Sequence, residues 1–183
     1  MIRQAQKKDA SIVFKILEPI FIDMELKTMQ KHPQQIKSLL EDAFDKPGTH
    51  YNYQNTLVAE IDQQVVGVLV GYPAEMEAQI DEYYQSVAQE YGLGANFELF
   101  PDKESLPGEW YLDCLAVAPN YQGKGIATQL IQAIPQFFDA SVLGLNVDFT
   151  NNKASKLYQH LGFEIVGEMP IGSHQYYHMQ KKL

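Results

Sequence analysis

The 183-residue chain is 45% hydrophobic and 20% charged, which excludes a disordered polymer and suits one folded domain with its own core. Its formal net charge of −9 disfavours general binding to nucleic acid and is compatible with either a cationic substrate or simple solubility. No apolar run reaches the roughly 18 residues of a membrane span, nothing at the polar, basic start resembles a signal peptide, and the one cysteine, Cys114, excludes an internal disulfide, so a reducing, cytoplasmic setting is expected.

Residues 2–5 alternate enough for a first strand. Asp9 or Ser11 can cap a helix with Ile12, Ile16, Leu17 and Ile20 on one face. Pro33 suits the first turn of a second helix carrying Ile36, Leu39, Leu40 and Phe44, which Pro47 and Gly48 end. Residues 56–61 and 65–71 read as two strands of a hairpin. In the segment from about 73 to 108, Met76, Ile80, Tyr83, Tyr84, Val87 and Tyr91 recur at steps of three and four, predicting an amphipathic helix with an acidic outer face. Gly92 and Gly94 end it, and a loop follows to Pro107 and Gly108. Residues 110–117 form a strand apolar enough to be central. The next helix carries Ile126, Leu130, Ile134 and Phe137, with Pro135 bending or shortening it. A buried strand over 142–149, a short helix with Ala154, Leu157, Tyr158 and Leu161 closed by Gly162, and strands over 163–168 and 174–181 complete the chain. This order predicts a single domain over 1–183 of α/β (α+β) class, a mixed central sheet of about seven strands flanked by helices, with a helical insertion at about 73–108.

The sharpest local feature runs from Val117 to Thr128. A strand ends, Pro119 and Asn120 turn the chain, and Gly123 and Gly125 lead directly into a helix. Glycines let backbone N–H groups crowd an anion, the helix N-terminus adds free donors and partial positive charge, and Lys124 adds a full charge. Such a loop can cradle a diphosphate, or can merely be a turn that needs glycine. It lacks the Walker spacing. It also lacks the third glycine of a dinucleotide loop, where Thr128 stands, although Asp148 lies about 20 residues on where a ribose-binding acid is expected.

With Gln122, Gly125 and Ala127 matching its diphosphate motif, and Leu115–Val117 then Pro119 preceding it, the sequence resembles the GNAT acetyltransferase superfamily. A second family segment is matched by Asn151, Ala154, Leu157, Tyr158, Gly162 and Phe163. The resemblance is close over residues 111–167 and topological before that. It implies the GNAT fold, acetyl-CoA as cosubstrate with no metal, and direct transfer of the acetyl group to a primary amine of a small molecule or peptide in a ternary complex. Backbone groups of Leu115, Ala116 and Val117 would pair with the pantetheine arm. Gln122, Gly123, Lys124, Gly125, Ile126, Ala127 and Thr128 would bind the diphosphate, Asn151 would hold pantetheine, and Tyr158 would stand near the sulfur. The segment at 73–108 is the part least typical of the family.

An amine of pKa about 10.4 is neutral in only about one molecule in a few thousand at pH 7, so a base or desolvation is needed. Strand alternation places Tyr111, Asp113, Leu115 and Val117 on one face and Cys114 on the other, making Asp113 the candidate base. Some protein-acetylating branches of the family place a glutamate where this chain has Asn146, and Asp148 is the reserve choice. Tyr158 is the candidate acid, with a core tyrosine at helical spacing as the alternative. The five histidines match no zinc spacing. The insertion, with Glu75, Glu77, Asp81, Glu82, Glu90 and Glu98, reads as an acidic lid over a cationic amine, as a homodimer interface through Tyr83, Tyr84 and Tyr91, or as a packed helix with its charges in water. A CoA-binding sensor without activity and a nicotinamide-dependent oxidoreductase are the competing functions; no nucleic-acid or membrane partner is expected.

Overall fold

A computed structural model describes residues 1–94 and 97–183 of the chain. Its seven strands are β1 (Ile2–Gln4), β2 (Thr56–Ile61), β3 (Gln64–Pro73), β4 (Trp110–Val117), β5 (Val142–Asp148), β6 (Glu164–Ile171) and β7 (His174–Lys182). They form one sheet in the order β1-β2-β3-β4-β5-β7-β6, antiparallel throughout except for the parallel pair β4 and β5. Helices α1 (Ala10–Asp23), α2 (Lys27–Lys31), α3 (Pro33–Ala43), α4 (Ile80–Val87), α5 (Ile126–Phe137) and α6 (Asn152–His160) flank it. On one face Phe14, Leu17, Leu39 and Tyr84 pack over Val58, Val68 and Val70. On the other, Leu130, Ile131 and Ile134 pack over Leu57, Leu69 and Leu145. The predicted mixed sheet of about seven strands with helices on both faces is the observed one.

The differences from the predicted elements are local. A one-turn helix, α2, lies between the two expected ones and buries no residue, which is why no apolar stripe announced it. The hairpin turns on Asp62 and Gln63, both at positive φ (48° and 62°), so β3 begins at Gln64. In the insertion only Ile80–Val87 is α-helical; tighter turns over Ala74–Gln79 and Ala88–Tyr91 flank it. The loop predicted after Gly94 includes residues 95–96, which lie outside the described residues.

The insertion's charges divide: Glu75, Glu82, Glu90 and Glu98 are exposed, as expected of a packed helix with its charges in water, whereas Glu77 and Asp81 turn inward. Glu77 accepts the backbone N–H groups of Glu104 (2.6 Å) and Ser105 (2.8 Å) and the Ser105 hydroxyl (2.7 Å). Asp81 accepts those of Leu99 and Phe100. These carboxylates are turned inward to satisfy loop backbone, as a buried donor requires. Tyr84 is fully buried and so belongs to no free face, whereas Tyr91 is half-buried and its hydroxyl donates to Asp42 of α3 at 2.6 Å.

Two glycines set the spacing between layers. A Cβ on Gly67 would lie 2.9 Å from Ile126 Cγ2 and 3.2 Å from Leu130 Cδ1, so its absence lets the first turn of α5 sit down on β3. A Cβ on Gly144 would overlap the Glu109 carboxylate. Gly144→Ala is therefore expected to cost about 1–3 kcal/mol, the range for overfilling a packed site. Urea denaturation measures it, and an unchanged midpoint would mean that Glu109 has room to retreat.

Candidate active site

The site begins with a fault in β4. Leu112 pairs with Gly71 and Cys114 with Val70, leaving Asp113 as an extra residue without a partner on β3. A bulge bends its strand and increases the local twist. On the other side, β4 pairs with β5 only through Trp110, Tyr111 and Leu112; beyond them the two strands part. Ala118 donates its N–H to Val66 on the β3 side, so alternation turns the backbone groups of Leu115 and Val117 into the opened gap. The Val117 carbonyl takes the Gln122 Nε2 donor at 3.0 Å.

The same bulge corrects the expected strand alternation. Tyr111 and Cys114 face the core beneath α1, whereas Leu112, Leu115 and Val117 face that beneath α5. Tyr111 therefore does not share a face with Leu115 and Val117, and Cys114 lines the same cleft as Asp113. A one-residue insertion reverses every side chain after it. Cys114 is buried beside the Tyr51 hydroxyl (3.4 Å), and burial pushes its thiol well up, so it stays protonated.

At the mouth of the gap, Gly123 and Gly125 hold φ of 74° and 76°, and Gly125 caps α5 without any side-chain partner. The backbone N–H groups of residues 123–128 have no protein acceptor among the described residues. Nothing lies within 4 Å of a Cβ at Gly123, and only Gln129 Nε2 at 4.0 Å near Gly125. Lys124 is exposed and lies over the Tyr121 ring at 4.8 Å. This set of free donors in open space fits the diphosphate of coenzyme A.

A cleft of about 780 Å³ runs from the open edge of β4 across the sheet. It collects Asp113, Leu115, Asn151 and Tyr158, residues singled out in the sequence. Asn151 caps α6, its Oδ1 accepting the Ala154 N–H at 3.1 Å. Tyr158 is nearly buried, its phenol is pushed up to about 12 by burial, and no protein group hydrogen-bonds its hydroxyl among the described residues. Asp113 Oδ2 is buried without a partner, and burial raises its carboxyl, with the Glu77 charge adding to the rise. Asp148, the reserve base, is instead committed to Thr150 and to His174 (3.2 Å) and is held below the usual carboxylate range, chiefly by the Thr150 hydroxyl.

The structure adds a residue that sequence reasoning missed. Glu104, from the loop before β4, lines the cleft and accepts the Tyr111 hydroxyl at 2.7 Å. Behind it, Asn146 Nδ2 donates to the Glu104 carbonyl (2.9 Å) and to the Tyr111 oxygen (3.0 Å), which leaves its Oδ1 to accept from His178 Nδ1 at 2.7 Å. His178 Nε2 faces the wholly buried Glu109 carboxylate at 3.0 Å, where Gln180 also donates at 2.7 Å. Nothing in a loop glutamate's local sequence marks it for this position. No group of three metal-ligating side chains is found, and no helix is long and apolar enough to cross a membrane, among the described residues.

Comparison with known proteins gives this geometry a family. The sequence profile of the acetyltransferase (GNAT) domain matches residues 52–165, a span that includes the bulged strand, the donor loop and α6. Spermine/spermidine N(1)-acetyltransferase of Bacillus subtilis (strain 168) is 31% identical over 103 residues, covering 51% of this chain and 68% of that protein. The crystal structure of an acetyltransferase superposes with a TM-score of 0.88 at 41% identity, over 100% of this chain and 98% of the other. The N-acetyltransferase from Staphylococcus aureus Mu50 does so with a TM-score of 0.87 at 28% identity, over 99% and 100%. With more than half its length matched by the profile and its whole fold shared with these enzymes, the chain belongs to the GNAT family and is an acetyltransferase.

Proposed function

We propose that this chain transfers the acetyl group of acetyl-CoA directly to a primary amine of a cationic, polyamine-like acceptor. The observation that carries the acceptor class is the charge of the cleft. Asp23, Glu25, Asp102, Glu104, Asp113 and Asp148 line it, against His174 as the one basic side chain and no lysine or arginine among the described residues. Such a surface draws ammonium groups in and disfavours acidic acceptors. The relatives named for spermine and spermidine acetylation agree with that reading.

The free N–H groups of residues 123–128, with Gln122 and Lys124 beside them, would hold the diphosphate. Leu115 and Val117 would receive pantetheine along the unpaired edge as an added strand, with Asn151 beside it; Ala116, expected from the sequence to join them, instead turns its backbone groups to Val68 of β3. Acetyl-CoA supplies the activated acyl carbon. Tyr158, kept protonated well above neutral pH, is the hydrogen-bond donor to the departing sulfur. Asp113 belongs to the carboxylates that draw the amine's proton.

The test incubates the protein with acetyl-CoA and, separately, spermine, spermidine and an alanine-led peptide, following free thiol and product mass. Faster acetylation of the polyamines is expected. Preference for the peptide would overturn the acceptor class, and thiol release with none of them would overturn transfer to amines of either kind.

A further inference from the structure

Glu104 is held from three directions, and one of its oxygens is left over. Its N–H is bound by Glu77, its carbonyl by Asn146, and its Oε2 by Tyr111. Oε1 has no protein donor among the described residues, and the side chain lines the cleft. Because Tyr111 accepts from Asn146, its own proton is directed at Glu104, so the anchored oxygen stays an acceptor while the free one can gain or lose a proton. A carboxylate fixed by its backbone and one oxygen, with the other facing substrate, has the geometry of a general base.

We propose that Glu104 takes the proton from the substrate's ammonium, with Asp113 as the second carboxylate of a pair and Tyr111, Asn146, His178 and Glu109 as the frame that holds it. The inference rests on the acetyl transfer proposed above. The nitrogen loses two protons in all. The first passes from ammonium to Glu104, freeing the lone pair. The C–N bond then forms at the thioester carbon, the C–S bond breaks, and the nitrogen gives up its second proton. One proton ends on sulfur as the thiol, and one is released to solvent.

The surroundings favour that role. Groups whose charge bears on Glu104 include Glu77, Asp102, Asp113, Tyr72, Tyr111, Cys114 and Tyr176, from β3, β4, β7, the turn before α4 and its own loop, with Lys103 next to it in the chain, His178 behind Asn146 and His174 in the same cleft. Burial first, then the Asp113 charge, pushes the Glu104 carboxyl upward toward neutrality, with the Tyr111 hydrogen bond opposing. A group so tuned is basic enough to compete for an amine's proton and still ionised in part at neutral pH.

Glu104→Gln tests it, with the fastest amine of the panel above as acceptor. At pH 7, kcat is expected to fall by about 100-fold, the scale of a lost general base. The rate should then climb with pH toward the amine's own pKa of about 10, where the parent has already levelled. Glu104→Asp, which keeps a carboxylate, should restore part of kcat and the levelling.

A second readout needs no turnover. A carboxyl whose pKa is raised by folding contributes stability that is complete below its unfolded value and lost as pH rises through the folded one. Glu104→Gln removes that loss, so its melting temperature at pH 8–9 should exceed the parent's by about 2–4 °C, the shift for about 1 kcal/mol in a domain of this size. A raised KM with kcat retained would make Glu104 only an anchor for the ammonium and overturn the proposal. A fall in kcat with an unshifted pH profile, or a lowered melting temperature at pH 8–9, would overturn it as well. If the parent acetylates an amine and the variant matches it, only the role of Glu104 fails; if the parent acetylates none and calorimetry finds no acetyl-CoA binding, the reading beneath it fails too.

Discussion

Gly125→Asp is expected to weaken acetyl-CoA binding by at least about 100-fold while leaving a folded protein. The N–H groups of residues 123–128 have no internal acceptor, so a bound diphosphate would gain their hydrogen bonds without displacing others. Each such charge-assisted bond is worth roughly 1.5–3 kcal/mol, and losing two of them gives a factor of about 100 or more. An aspartate at position 125 places its own charge among these donors and repels the phosphates. There is space for it, since the nearest atom to a Cβ there is Gln129 Nε2 at 4.0 Å. The backbone at φ 76° costs a side chain about 1–2 kcal/mol, less for Asp and Asn than for other residues. Gly125→Asn carries the same shape and strain without the charge and should bind more tightly than the aspartate. Calorimetry with acetyl-CoA measures both. An aspartate variant that binds as the parent does would remove this loop from the cofactor site.

Tyr158→Phe is expected to lower kcat by roughly 10–1000-fold with little change in acetyl-CoA affinity. Burial pushes the phenol up to about 12, so it remains a donor throughout the neutral range. Against a simple thiol near 8.5, complete proton transfer to sulfur is uphill by about 5 kcal/mol. The burial that raises the phenol would also raise a thiolate forming beside it, which narrows that gap without closing it. The phenol therefore acts chiefly by hydrogen-bonding the developing charge, and the expected loss is that of one strong bond rather than of a proton source. The phenylalanine keeps the packing against Phe163 (5.8 Å between centroids), so the melting temperature should hold. An unchanged kcat would remove Tyr158 from the chemistry.

Much of the fold was legible because its signals are local. Strand β2 and strand β4 stand where alternating or continuous apolar residues placed them, and α5 begins at the glycine pair. The loop at residues 122–128 and the segment from Asn151 to Phe163 carried the family resemblance by themselves. The insertion was harder. Its apolar spacing marked the buried positions Ile80 and Tyr84 correctly, but its carboxylates read as a solvated face when Glu77 and Asp81 in fact hold loop backbone. A carboxylate facing water and one facing its own chain look alike in sequence, because the difference lies in donors some 20 residues away.

The sequence by itself determined the sheet-and-helix order and the glycine turn ahead of α5, since each follows from spacing between near neighbours, while the family resemblance singled out Tyr158. Only the tertiary structure decided which way Asp113 and Cys114 point, because one extra residue against β3 reverses the alternation that sequence counting assumes. It alone brought Glu104 into the cleft with Tyr111 and Asn146, backed by the buried His178 and Glu109, from a loop and three strands separated by up to 74 positions in the chain. Side chains that distant meet only after the sheet has closed, so no local pattern could announce them.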